Sequence, residues 1–177
     1  QPAILTVSVA CLKVLQSHPI SKKIQFQFAC GLSLGEYSEL VACGALDFMT
    51  TLKLVQKRSS LMEKATQIEK GTMAAVIGFD QERLMEICRQ TKAEVANFNS
   101  PEQIVITGKD EYVKLASELI KTAGAKRVIP LDVSGAFHSS LMKPASLKFE
   151  AELAKINFSH PQFPIISNVD ALSSTDP

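Results

Sequence analysis

The sequence predicts an α/β fold in which a compact β-α-β-β-α-β unit interrupts a larger domain. Three observations carry this. The segment Gly31-Leu32-Ser33-Leu34-Gly35 joins an extended run to a helical run. Residues 72–131 alternate short apolar strands with amphipathic helices, and Gly71 and Pro130 mark the edges of that region.

Taken in order, residues 2–16 (PAILTVSVACLKVLQ) read as a buried helix with Pro2 in its first turn. The run SHPIS breaks it. In KKIQFQFA, residues 22–29, Ile24, Phe26 and Phe28 alternate with Lys23, Gln25 and Gln27, the period of a strand. A helix follows from Leu34, with Leu34, Tyr37 and Val41 on one face, ending near Gly44. A second helix spans 50–66, with Thr50 as N-cap. Then come a strand TMAAVIG, a helix from Asp80 to Gln90, strands EVANF and QIVITG, a helix from Asp110 to Ala123 and a strand KRVIPL. That order is the ferredoxin-like arrangement. The loop VSGAFHSS, a helix from about Leu141 to Asn157 and a short strand PIISN complete the reading. The expected division is therefore 71–131 for the insert, with 1–70 and 132–177 forming the larger domain.

A chain of 177 residues can bury a real core as one domain with a small insert. Net charge is +1 with both signs dispersed, so nothing marks a nucleic-acid footprint or an acidic disordered tail. No apolar stretch approaches a membrane span, and no export signal opens the chain. Cys11, Cys30, Cys43 and Cys88 lack C-x-x-C spacing and lie in apolar or helical segments. They read as buried thiols of a reducing compartment, not as a disulfide frame or zinc site. The chain opens at Gln1 without a methionine and stops at Pro177, and both ends read as cut.

The chemistry centres on Ser33. A nucleophile on a strand–turn–helix elbow needs small flanking residues, because the backbone passes close to itself. The helix start then supplies N–H groups and a positive dipole end for an oxyanion. All three parts fall in place, although Gln25 and Gln27 give the incoming strand one polar face where elbow strands are usually apolar on both. The alternative is an ordinary Gly/Ser turn. A nucleophilic serine also needs a base. His18 and His160 each precede a proline in a polar loop and read as surface residues. His138, in Ser134-Gly135-Ala136-Phe137-His138-Ser139, follows a strand where a loop would reach a cleft. It is the best base in the chain or a structural histidine. Arg58 falls in the stripe Leu54, Arg58, Leu61, Ala65, away from the wet face of Lys53, Lys57, Ser60 and Lys64. A guanidinium there requires an anion. That anion is either one of the chain's own carboxylates or a substrate carboxylate held bidentately.

These residues resemble the malonyl-CoA:acyl carrier protein transacylases over essentially the whole chain. GLSLGEYSELVACGAL is similar to their nucleophile segment, KLVQKRSSLM to their arginine helix and VANFNSPEQIVITG to the hairpin of their inserted subdomain. GAFHSSLMKPA is similar to their histidine segment and PIISNVDA to a further strand. The resemblance implies an α/β-hydrolase-like domain with a ferredoxin-like insert. It implies Ser33 as nucleophile, His138 as base and Arg58 as carboxylate anchor, with substrate contacts at Leu32, Leu34, Met62, Asn99 and Phe137. Phe137 before His138 resembles the malonyl-selective branch. Leu32 stands where the usual pattern has histidine, and Ser59 where it commonly has glycine. The family's Gly-Gln-Gly-Ser-Gln segment and its C-terminal portion, which supplies a pocket glutamine, have no counterpart here.

The implied reaction is transfer of a malonyl group from malonyl-CoA to the pantetheine thiol of acyl carrier protein. It uses no cofactor or metal, and a monomeric enzyme of the cytoplasm or plastid stroma is expected. In this family the histidine is oriented by a backbone carbonyl. Asp132, six residues before His138, is expected to be structural, because the acid of an α/β-hydrolase precedes the histidine on a different loop. The rival readings are a serine hydrolase or thioesterase, which has no use for Arg58, and a non-catalytic carrier-protein-binding fragment. An RNA-binding module is disfavoured because TMAAVIG and QIVITG carry no aromatic for base stacking.

Overall fold

The computed structural model describes residues 1–176. In chain order the elements are α1 (Pro2–Ser17), β1 (Ala29–Cys30), α2 (Gly35–Ala42), α3 (Phe48–Ile68), β2 (Thr72–Ile77) and α4 (Gln81–Thr91). They continue with β3 (Glu94–Ser100), β4 (Gln103–Gly108), α5 (Asp110–Thr122), β5 (Arg127–Pro130), α6 (Lys143–Leu153), β6 (Ile165–Ile166) and β7 (Ser173–Ser174). Short 3₁₀ turns at Pro19–Lys23 and Ser140–Met142 precede β1 and α6. The chain is of the α/β class and divides into two compact units, Gln1–Ser59 with the residues from Ala151 on, and Ser60–Glu150. Among the described residues no helix is long and apolar enough to cross a membrane.

The second unit carries the β-α-β-β-α-β order, with its four strands arranged β3-β4-β2-β5 and every neighbouring pair antiparallel. Strand periodicity builds both faces. Ala74, Val76, Ile104, Ile106 and Val128 meet Leu84 and Cys88 of α4 and Val113, Ala116 and Ile120 of α5. The alternate residues Met73, Ala75 and Val105 face the other way, against Ala96, Leu131, Val133 and Phe137. This unit is wider than residues 71–131. The flanks are drawn in because a Cβ on Gly71 would stand 2.7 Å from the Ala136 Cβ, and one on Gly135 would stand 2.3 Å from Thr66 Cγ2.

In the first unit Leu5 and Val9 of α1 and Val55 of α3 form the core, with Leu34, Tyr37, Val41, Phe48 and Leu52 packed against it. The sheet order is β1-β6-β7, with β1 parallel to β6 and β7 antiparallel to it.

Several expectations need correction here. The strand expected over 22–29 is reduced to β1, because only Ala29 and Cys30 find a ladder partner, in Ile165 and Ile166. Ile24, Phe26 and Phe28 are exposed, and Phe26 tilts onto Phe163 at 5.5 Å between ring centres. Helix α1 is not buried all round: Leu5 and Val9 are buried, while Ile4, Val7 and Val14 are each more than 60 % exposed. The start of α3 is capped by Asp47, not Thr50. Asp47 accepts the Thr50 N–H at 3.0 Å and the Thr50 hydroxyl at 2.6 Å. Helix α6 stops at Leu153, short of Asn157, where the Lys155 and Ile156 N–H groups tighten to three-residue turns on Glu152 O and Leu153 O before the chain turns away. The Ser159 N–H donates to Ala45 O at 3.0 Å, and the Gln162 N–H donates to Cys43 O at 2.7 Å. Cys43 and Cys88 are buried free thiols, but Cys11 and Cys30 are exposed.

Candidate active site

Ser33 lies between β1 and α2 with φ +53°, a left-handed conformation that side chains with a Cβ adopt at a cost. Gly31 makes the turn sterically feasible: a Cβ there would lie 2.2 Å from the Gly35 carbonyl carbon. Gly35 itself faces open space. Asn168, just beyond β6, fixes the turn from across the sheet. Its Oδ1 accepts the Ser33 N–H at 2.5 Å, and its own N–H donates to Glu36 Oε1 at 2.8 Å. Leu34 is the residue that caps α2; its side chain joins the Leu5–Val9–Val55 core. Among the described residues no acceptor meets the Leu34 N–H. That N–H stands at the positive end of the helix.

Arg58 comes to Ser33 from α3. Its Nη2 donates to Ser33 Oγ at 2.9 Å and its Nη1 to Gln1 Oε1 at 2.5 Å. The guanidinium carbon lies 5.5 Å from the Tyr37 ring centre, within cation–π range. Burial lifts the Tyr37 phenol above its ordinary value, and the Arg58 charge pulls back against that rise. Among the described residues no carboxylate pairs with Arg58. Among the described residues its guanidinium is met by uncharged groups, the Ser33 hydroxyl and the Gln1 amide.

Next to Gly31 a cleft of about 300 Å³ is lined by Ser8, Leu12, Cys30, Ser38 and Glu39. Glu39 is 5 % exposed, and its Oε2 has no partner among the described residues. Burial, with a smaller push from Glu36, drives its carboxyl up to about 7.

His138 belongs to the second unit. It is exposed, at φ +60°, in the loop between β5 and α6. Phe137 packs on the Met73–Ala75–Val105 face, and its carbonyl accepts the Thr107 hydroxyl at 2.9 Å. The other histidines are loop residues: His18 Nδ1 accepts the Ile20 N–H at 3.3 Å, and His160 Nδ1 lies 3.5 Å from Thr175 O. Asp132 is exposed.

The first unit thus brings together Ser33, Leu34 and Arg58, while His138, Phe137, Met62 and Asn99 lie in the second. Leu32 is exposed and Met62 is half-buried on α3. Asn99 sits in a chain of amides on the β3–β4 hairpin, accepting from Asn97 and donating to Gln103 Oε1 at 3.1 Å. Asn168, Glu36 and Glu39 were not anticipated. Asn168 carries only the faint signal of an amide just after a short apolar strand.

A strand–turn–helix elbow thus presents a serine at positive φ with an arginine donating to its hydroxyl. A family model described as the acyl transferase domain matches residues 1–177. The chain belongs to the acyl transferase domain family. It is similar to the malonyl CoA-acyl carrier protein transacylase of Bacillus subtilis, with 46% identity over 97% of this chain and 54% of that relative. The corresponding protein of Escherichia coli K12 is 43% identical over 99% of this chain and 57% of its own length. Among solved structures, a malonyl-transacylase in complex with its type II PKS acyl-carrier protein matches with TM-score 0.92 and 40% identity. That match covers 99% of this chain and 57% of the other. An acyl carrier protein S-malonyltransferase from Vibrio cholerae matches with TM-score 0.91 and 41% identity, over the same shares. The chain spans somewhat more than half the length of these relatives.

Proposed function

We propose that this chain carries the acyl-serine chemistry of a malonyl-CoA:acyl carrier protein S-malonyltransferase serving fatty acid biosynthesis. The observation that carries the reading is the Arg58 guanidinium donating to the Ser33 hydroxyl with no carboxylate paired to it among the described residues. A cation beside a nucleophile suits an acyl group that ends in a carboxylate. It has no use in a plain esterase.

In this reaction the malonyl carboxylate rests on Arg58, and Ser33 Oγ attacks the thioester carbonyl as His138 takes its proton. The oxyanion is held by the Leu34 N–H, a donor of the kind worth about 2.7–4 kcal/mol to a transition state. The C–S bond then breaks, and CoA leaves as the thiol with the proton from His138. In the second half, His138 takes the proton of the carrier protein's pantetheine thiol. The sulfur attacks the malonyl-serine ester, and Ser33 recovers its hydroxyl. No cofactor takes part. Phe137, Leu32, Met62 and Asn99 are proposed to line the acyl path. The partner is acyl carrier protein, which the malonyl-transacylase among the solved structures is described as binding.

The test is the intact mass of the protein after incubation with malonyl-CoA. One malonyl adduct is expected, mapping to the peptide that contains Ser33 and absent in Ser33→Ala. Arg58→Ala should lose malonyl transfer while handling acetyl-CoA comparatively well. The swing is about tenfold to a hundredfold, since a charge-assisted hydrogen bond is worth about 1.5–3 kcal/mol. Equal loss for both substrates in a folded variant would defeat the carboxylate anchor, and hydrolysis without transfer would favour a thioesterase.

A further inference from the structure

We infer that Glu94 is a positioning residue for His138, holding the loop that presents the imidazole. This rests on the proposed role of His138 as base. Glu94 opens β3, and both its oxygens accept the Ser140 N–H, at 2.9 and 3.1 Å. The Ser140 hydroxyl adds a third bond to Oε1 at 2.7 Å. Ser140 lies two residues beyond His138 and begins the helical run that continues through α6, so the carboxylate also complements the positive end of that run.

The other side of the histidine is tied to the neighbouring strand. Thr107 of β4, the cross-strand partner of Glu94, donates its hydroxyl to the Phe137 carbonyl at 2.9 Å. One paired position of the sheet therefore grips the chain immediately before and shortly after His138. Cross-strand partners present their side chains on one face, which is why both can reach the same loop. Between the two grips, the Ser139 hydroxyl donates to Ala136 O at 2.6 Å and accepts the Leu141 N–H at 3.2 Å. His138 is held at φ +60°, a conformation a non-glycine residue keeps only when its surroundings over-determine it. Glu94 supplies three of the bonds that do so, and it does so from a side chain that touches no proposed reacting atom.

The experiment uses the full chain, with Glu94→Ala and Glu94→Gln. Glutamine still offers an oxygen to the Ser140 N–H. The His138 imidazole is followed by ¹H–¹³C NMR through a pH titration, alongside single-turnover acylation of Ser33 and the KM for malonyl-CoA. Glu94→Ala should displace and broaden the His138 signal while leaving those of His18 and His160 in place. It should slow acylation about ten- to a hundredfold, the penalty of a small misplacement, with KM little changed. Glu94→Gln should restore most of both. A His138 signal and titration unchanged by Glu94→Ala would overturn the inference, as would a change shared equally by all three histidines. Should the unsubstituted protein fail to acylate at all, the proposed function falls, and the His138 spectrum still decides the role of Glu94.

Discussion

Replacing Gly31 by alanine would set a methyl group 2.2 Å from the Gly35 carbonyl carbon, where backbone cannot give way cheaply. Gly35→Ala would meet nothing within 4 Å. The two glycines of one motif are therefore expected to behave oppositely. Gly31→Ala should destabilise by about 1–3 kcal/mol or more and abolish acylation of Ser33. Gly35→Ala, in the first turn of α2, should be neutral or stabilising by up to about 1 kcal/mol. Urea midpoints of the two variants check this. Glu39 gives a second residue-scale test. Its carboxyl rises from an ordinary 4.5 to about 7 on folding, so the folded chain holds a proton that the unfolded chain releases between those values. Stability should therefore fall as pH rises from 4.5 towards 7 and level off above it, by about 3 kcal/mol in all. Glu39→Gln should flatten that slope. An unchanged pH profile in this variant would mean that Glu39 is ionised in the folded chain.

The helices show how local signals set element boundaries. Asp80 caps α4 by accepting the Arg83 N–H at 2.9 Å, and the helix follows directly from it. Asp80→Ala should cost about 1 kcal/mol, read as a lowered thermal midpoint with the rest of the fold intact. At α3 two residues of capping type stand three apart, and Asp47 takes the cap because its carboxylate meets both the N–H and the hydroxyl of Thr50. Strands are less self-sufficient. The alternation of Ile24, Phe26 and Phe28 is a strand signal, but a strand is completed by a neighbour, and only Ala29 and Cys30 have one. Residues 72–77 and 103–108 are instead nearly continuous apolar runs, buried on both faces, and pair along their whole length.

Across the whole chain, the two compact units differ in how much ordered backbone they hold. The second has four strands whose central members, β2 and β4, pair over six residues beneath two helices. Among its described residues the first has three strands of two residues each. Hydrogen exchange should follow this: amides of β2 and β4 should be the slowest in the molecule, while those of β1, β6 and β7 exchange early. Comparable protection in both sheets would show that the first unit is held by more than its visible ladders.

Periodicity and turn chemistry in the sequence determined the β-α-β-β-α-β order, the helix faces and the elbow around Ser33, because these depend on residues a few positions apart. They also singled out Arg58 as a cation needing an anion, though not which one. Only the tertiary structure decided that its guanidinium donates to the Ser33 hydroxyl. The same holds for Asn168, which reaches the Ser33 N–H from 135 positions away, and for Glu94, which clasps Ser140 across 46. Such contacts have no local period to betray them. A hydrogen bond between distant residues exists only once packing has brought its two ends together.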